Sequence, residues 1–171
     1  MLLVALLIGW QANVHFTHDP PRKSGGSDGA IHVSGKKVRI EEPTPGGTTI
    51  VLFDGRKLWL LFPDQKQFLE LPKDQAPLAT VPPLSLEGMT AAGTEVIDGH
   101  ACTIYERTAE TKAGRIHQRL WVPDENKKDF FYFLRQVTQT DRGATKADLT
   151  GIRQTPQPDS LFKVPAGYRP K

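Results

Sequence analysis

The fold class follows from one stretch of the sequence, Thr48-Thr-Ile-Val-Leu-Phe-Asp-Gly-Arg-Lys-Leu-Trp-Leu-Leu-Phe62. Two apolar runs, 48–53 and 57–62, flank the turn Asp54-Gly55-Arg56. An Asp-Gly pair between apolar runs is the strongest short-range signal for a β-hairpin. A third run, 67–71, follows after a four-residue connection. The stretch therefore predicts a meander of antiparallel strands.

The same pattern of short apolar or alternating runs extends in both directions from this hairpin. The 15 glycines and 14 prolines are spread along the chain, which favours many short strands joined by turns over a few long helices. Four prolines between residues 72 and 92 predict a loop with one or two short helical turns. Further strands are predicted at 13–17, 30–33, 37–42, 93–96, 101–108, 115–122, 129–140 and 146–154.

Composition limits the classes of function. The chain has 171 residues, 38% of them hydrophobic, which indicates one folded domain. Its 22 Lys and Arg against 19 Asp and Glu give a net charge of only +3, and the cations are scattered, so nucleic-acid binding is poorly supported. Cys102 is the single cysteine, which excludes an intramolecular disulfide and predicts a buried thiol on a strand.

The first nine residues, Met1 to Gly9, form an apolar run that is too short to cross a bilayer of about 30 Å. The run is typical of the apolar region of a secretory signal, although no Lys or Arg precedes it. We therefore expect residues 1–12 to be the remnant of a truncated signal peptide and residues 13–171 to form one domain exported to the periplasm. The alternative is that the run is a buried first strand.

Two predicted strands are apolar on both faces, because neighbouring side chains of a strand point to opposite sides. Trp59 and Leu61 share one face of their strand, and Phe131 and Phe133 share one face of theirs. Either something packs on each face of the sheet, or the sheet is curved and encloses an apolar ligand cavity. In the second case the candidate lining residues are Trp59, Leu61, Phe131 and Phe133.

Motifs for catalysis and metal binding are not found. The sequence contains no HExxH, no GxSxG and no glycine-rich loop entering a helix. His15 and His18 are three residues apart on a strand, so they point to opposite faces and do not form a joint metal site. We expect no enzyme activity, no catalytic residue, no metal and no cofactor.

Arg115, His117 and Arg119 alternate along one strand and share a face. The simplest interpretation of this basic stripe is a solvated surface. If the apolar cavity exists, the stripe is also a candidate for contact with a lipid head group or an acidic partner, since arginine pairs well with phosphate oxygens.

Three stretches carry a family resemblance: Ile50 to Pro72 with its Asp-Gly-x-x-x-Trp hairpin, Gly93-Thr-Glu-Val-Ile-Asp-Gly-His-Ala-Cys-Thr-Ile-Tyr105, and Ser160-Leu-Phe-Lys-Val-Pro-Ala-Gly-Tyr168. In this order they resemble the outer-membrane lipoprotein carrier-like (LolA/LolB-like) superfamily, and most closely a bacterial branch of unknown function. The resemblance spans about residues 13 to 169.

The resemblance implies a mainly β fold of the α+β kind: an unclosed antiparallel β-barrel with short helices or a loop, here residues 72–92, as a lid. It also implies an exported periplasmic protein that binds a lipid or lipoprotein acyl chain, with a role in lipid or lipoprotein trafficking at the outer membrane. The alternative is an envelope structural or sensory module that binds a protein partner and carries no lipid. No transmembrane segment is predicted.

Overall fold

All the strands of the described residues belong to one β-sheet. The computed structural model describes residues 8–23, 25–72, 81–111, 114–125 and 131–171, with the side chain of residue 8 left out. The strands are β1 (Ile8–Asp19), β2 (Ser27–Ser34), β3 (Lys37–Thr44), β4 (Gly47–Phe53), β5 (Leu58–Phe62), β6 (Gln67–Leu71), β7 (Thr90–Ile97), β8 (His100–Thr111), β9 (Gly114–Pro123), β10 (Arg135–Thr140), β11 (Gly143–Pro156) and β12 (Arg169–Pro170). Two 3₁₀ turns, Pro63–Gln65 and Asp159–Phe162, accompany them.

Strand β1 lies in the middle of the sheet. The order is β12-β6-β5-β4-β3-β2-β1-β11-β10-β9-β8-β7, and every pairing is antiparallel except the two-residue contact of β12 with β6. The chain therefore builds one half of the sheet outward from β1, crosses from β6 to β7, and builds the other half back to β1. The mainly β, unclosed antiparallel architecture expected from the sequence is confirmed.

The hairpin that predicts the fold is present with the expected turn chemistry. Phe53 pairs with Leu58, and Gly55 adopts a φ of 94°, which a side chain at this position would disfavour. The carboxylate Oδ1 of Asp54 accepts hydrogen bonds from the backbone N–H groups of Arg56 (2.8 Å) and Lys57 (2.7 Å). This is the local bonding for which aspartate is favoured in turns.

Three predicted boundaries differ from the structure. The first strand begins at Ile8 rather than at residue 13, so the last five positions of the expected leader are part of β1, and residues 1–7 lie outside the described residues. The strand expected over 129–140 begins only at Arg135; residues 131–133 are irregular, and 126–130 are not described. In the expected loop at 72–92, β7 already begins at Thr90, and 73–80 are not described.

One face of the sheet carries the largest core and is concave. Val51 on β4 and Thr138 on β10 are five strand spacings apart, about 24 Å along the sheet, yet both line the same cavity. We call the core on this face the concave cluster; its fully buried members include Trp10, Val14 and Phe133. Side chains of the connection 81–89, among them buried Val81, pack against this cluster and cover part of the face.

The opposite face carries two smaller cores. The C-terminal cluster joins Ile50, Leu52, Leu61 and Phe162, and the β8–β9 cluster joins Ile97, Cys102, Ile104 and Trp121. The chain after β11 therefore covers β4 and β5 from behind through the turn Asp159–Phe162. Cys102 is buried in the β8–β9 cluster, as the sequence predicts.

Candidate functional site

A cavity of about 190 Å³ lies in the concave face of the sheet. Most of its wall is apolar, and a smaller polar part lies along one side. The apolar wall consists of Val14, Phe16, Ile31, Ile40, Val51, Pro82, Phe133, Ala147 and Leu149, and the polar side consists of His18, Arg22, Glu42, Gln136, Thr138 and Thr145. Concave shape, an apolar lining and a few grouped polar side chains are the usual features of a small-molecule site.

Strand alternation explains the composition of the wall. On β1 the side chains of Val14, Phe16 and His18 follow one another on the concave face, so the row changes from apolar to polar at the end of the strand. On β3 the same change occurs between Ile40 and Glu42. The two polar ends meet beside the apolar cavity.

A hydrogen-bonded cluster forms where these ends meet. Nε2 of His18 lies 2.8 Å from Oε1 of Glu42, and the same oxygen accepts a hydrogen bond of 2.6 Å from Nη1 of Arg22. The Thr145 hydroxyl lies 3.3 Å from Nδ1 of His18. Only 11% of the His18 side chain and 21% of the Glu42 side chain are exposed, so both polar groups are paired where water has little access.

The polar side of the cavity continues across five strands as one row. His18 on β1 pairs with Thr145 on β11, Thr145 with Thr138 on β10, Thr138 with Gln118 on β9, and Gln118 with Arg107 on β8. We call these five residues the polar row. At its far end Nε of Arg107 donates a hydrogen bond of 2.8 Å to Oε1 of Gln118, and burial lowers the pKa of the Arg107 guanidinium.

The four predicted lining residues divide between the two faces. Phe133 lines the cavity directly, and Phe131 packs against the same concave cluster. Trp59 and Leu61 lie on the opposite face, where they pack with Phe162 in the C-terminal cluster. The sheet separates the two pairs, because the cavity-facing positions of β5 are 58 and 60 and not 59 and 61. Of the two interpretations of two-faced apolar strands, packing therefore accounts for Trp59 and Leu61.

The predicted basic stripe also lies away from the cavity. Arg115, His117 and Arg119 share the face that carries Trp121, opposite the concave cluster. Nε of Arg115 lies 2.7 Å from Glu110, Nε2 of His117 lies 3.6 Å from Glu106, and Nε of Arg119 lies 4.0 Å from Glu106. Each of these three side chains thus lies near a carboxylate of β8, and all three are at least partly exposed to water.

The polar cluster was missed at the level of sequence because its members come from β1, β3, β11 and the segment after β1. One signal was available: His18 falls on the same strand face as Val14 and Phe16 and is the polar end of that row. Glu42 has the same relation to Ile40. His15, in contrast, lies on the other face beside Asp28, in agreement with the predicted separation of His15 and His18.

No group of three or more His, Cys, Asp or Glu side chains in the described part of the chain is arranged to hold a metal ion. No helix there is long and apolar enough to cross a membrane.

Comparison with solved structures places the fold among known ones. An uncharacterized conserved protein from Thermus thermophilus matches over 97% of this chain and 91% of its own, with a TM-score of 0.59 and 12% identity. A DUF1329 family protein from Desulfovibrio piger matches over 94% and 91%, with a TM-score of 0.50 and 14% identity. The likeness is one of fold.

A further match is a putative outer membrane lipoprotein-sorting protein domain from Vibrio parahaemolyticus, with a TM-score of 0.47, 11% identity and coverage of 91% and 89%. No protein-family model matches the sequence, and no curated protein is significantly similar to it. The matches with TM-scores of 0.59 and 0.50 show that the fold of this chain occurs in other bacterial proteins.

Proposed function

We propose that this protein binds the acyl chain of a lipid or lipoprotein, or a similar apolar ligand, in the cavity of its concave face. The observation that carries the proposal is the composition of that cavity: apolar side chains from β1 to β4 and from β11 form its wall, and the polar residues lie together on one side. Such a wall suits a molecule with an apolar tail and a polar head. The resemblance of the sequence motifs to the carrier-like superfamily points to the same class of ligand.

The size of the cavity limits what enters it. An apolar protein cavity of about 150 Å³ holds a benzene molecule, so a cavity of about 190 Å³ takes a short segment of one acyl chain. Each buried methylene contributes about 0.8 kcal/mol, which is about four-fold in affinity. We therefore expect affinity to rise with chain length until the cavity is filled, and then to level off.

Binding without catalysis is part of the proposal. Thr145, His18 and Glu42 form a hydroxyl–imidazole–carboxylate sequence, which is the set of groups a hydrolase would need. Glu42, however, also pairs with Arg22, and the hydroxyl is the secondary alcohol of a threonine on a strand. We interpret the cluster as a satisfied polar edge of the cavity and expect no turnover of carboxylic esters above the rate of the His18→Ala variant.

The experiment compares chain lengths in two matched variants. Ala147 on β11 lines the cavity, so Ala147→Leu fills part of it; Ala144→Leu adds the same side chain to the same strand on the opposite face. Isothermal titration with saturated fatty alcohols of increasing length measures the chain length at which affinity stops rising. This length should be shorter for Ala147→Leu than for the wild type, and unchanged for Ala144→Leu. Equal length profiles for both variants and the wild type would place binding outside the cavity and refute the proposal.

The cellular setting is proposed together with the ligand. We infer a protein of the bacterial periplasm with a role in lipid or lipoprotein trafficking. Native mass spectrometry of protein purified from the periplasm without detergent should show bound lipid at near-stoichiometric level. A ligand-free mass that also takes up no added lipid would instead favour the alternative, an envelope module that binds a protein partner.

A further inference from the structure

The concave face carries two arginines in different electrostatic settings. Arg22 forms an ion pair with Glu42, which neutralises its charge. Arg107 bonds to the neutral side chain of Gln118, and none of the described carboxylates lies within ion-pair distance of it. The difference matters because Arg107 is only partly exposed to water and keeps its charge at neutral pH.

The direction of the Arg107 side chain follows from its bond. Nε donates to the Gln118 side chain on the neighbouring strand β9, so this edge of the guanidinium lies toward β9, which separates β8 from β10, and not toward the edge strand β7. Thr138, the next residue of the polar row, lines the cavity. Two strand spacings, about 10 Å, therefore separate the backbone of Arg107 from the wall of the cavity.

The remaining chemistry of Arg107 suits an anion. With Nε used by Gln118, the two terminal nitrogens are left with four N–H groups in a planar fork, a geometry that matches the oxygens of a carboxylate or phosphate. Gln118 is 1% exposed, so the hydrogen bond that orients the guanidinium is held inside the protein. Burial lowers the pKa of Arg107, which indicates that its charge is poorly solvated and would gain from a negative partner.

We propose that Arg107, oriented by Gln118, is the receptor for the anionic head group of an amphiphile whose tail lies in the concave cavity. The inference deepens the proposed function and rests on it. A single-chain amphiphile fits this arrangement, because Thr138 on the wall of the cavity and Arg107 lie on strands that are separated only by β9. The head group is either a carboxylate, as in a fatty acid, or a phosphate, as in a monoacyl phospholipid.

The test compares three probes with the same tail: dodecanol, laurate and dodecyl phosphate. Dodecanol measures tail binding alone, and the two anions measure the added effect of each head group. In the wild-type protein we expect at least one anion to bind at least ten-fold more tightly than dodecanol, as a charge-assisted hydrogen bond allows. The anion with the larger gain identifies the head group.

Variants then assign the gain to a residue. Arg107→Gln should bind dodecanol as the wild type does and lose the preference for the anion, which also shows that the variant is folded. Arg119→Gln, on the opposite face, is the control and should keep the preference.

An unchanged preference in Arg107→Gln would overturn the inference and leave the proposed function intact. Failure of the wild-type protein to bind any of the three probes would overturn the proposed function and the inference with it.

Discussion

At the scale of single residues, Asp148 shows how a strand pair sets the charge state of a side chain. Burial raises the pKa of this carboxyl, but hydrogen bonds from Nε of Arg135 (2.5 Å) and from Lys146 outweigh burial and hold the pKa below its usual range. The unfolded chain binds the proton at about pH 3.9, so the ionised group stabilises the native state above that pH and the stabilisation is lost as pH falls through the lower native value.

We therefore expect Asp148→Asn to lower the free energy of unfolding by about 0.5–1 kcal/mol between pH 5 and 8, and this difference to shrink as the pH falls through the lowered native pKa of Asp148. Urea unfolding followed by tryptophan fluorescence across this range measures both values. A difference that persisted unchanged to pH 2 would show that packing, and not charge, is affected.

The residue patterns predicted the strand face on which a side chain lies better than they predicted the side chains that it contacts. The alternation in Arg115, His117 and Arg119 correctly placed all three on one face, because a strand repeats every two residues. Their acidic neighbours were not predictable, since the register of β8 against β9 decides which side chains meet. The contact of His18 with Glu42, which are 24 positions apart, was not predicted either, because it also depends on how the strands are aligned.

At the scale of elements, the turn between β4 and β5 is the feature that sequence specified most fully. Asp54→Ala removes the acceptor of two backbone N–H groups at 2.8 and 2.7 Å, and should lower the free energy of unfolding by about 1 kcal/mol. Arg56→Ala changes an exposed neighbour in the same turn and should stay within about 0.5 kcal/mol of the wild type. Equal urea midpoints for the two variants would mean that the hydrogen bonds of Asp54 do not stabilise the turn and that the conformation of Gly55 is sufficient.

Elements without such local signals were predicted less well. The run Phe130 to Leu134 favours a strand by its aromatic content, but strand propensity reflects packing on a sheet more than backbone preference. Here Phe133 reaches the concave cluster from an irregular segment and meets Trp10 edge to face, with ring centroids 6.1 Å apart. Tertiary packing thus explains Phe131, Tyr132 and Phe133 without a strand, and β10 begins only after them.

At the scale of the whole molecule, β1 connects the two halves of the sheet, since β2 and β11 both pair with it along most of its length. Trp10 and Ala12, at its start, are 3% and 5% exposed within the concave cluster. A chain that starts at residue 13 would lose both side chains together with the pairing of Trp10 with Val33. Deleting a buried tryptophan side chain alone costs about 3–5 kcal/mol, a large part of the stability of a domain of this size.

We therefore expect protein that starts at residue 13 to unfold at a much lower temperature than protein that starts at residue 8. The Trp10→Ala variant of the longer form should account for most of the difference, because the concave cluster loses the same ring in both. Thermal unfolding of the three proteins, side by side, measures this. If the two starting points gave equal melting temperatures, residues 8–12 would be dispensable for the sheet, and a leader ending at residue 12 would be compatible with a stable mature protein.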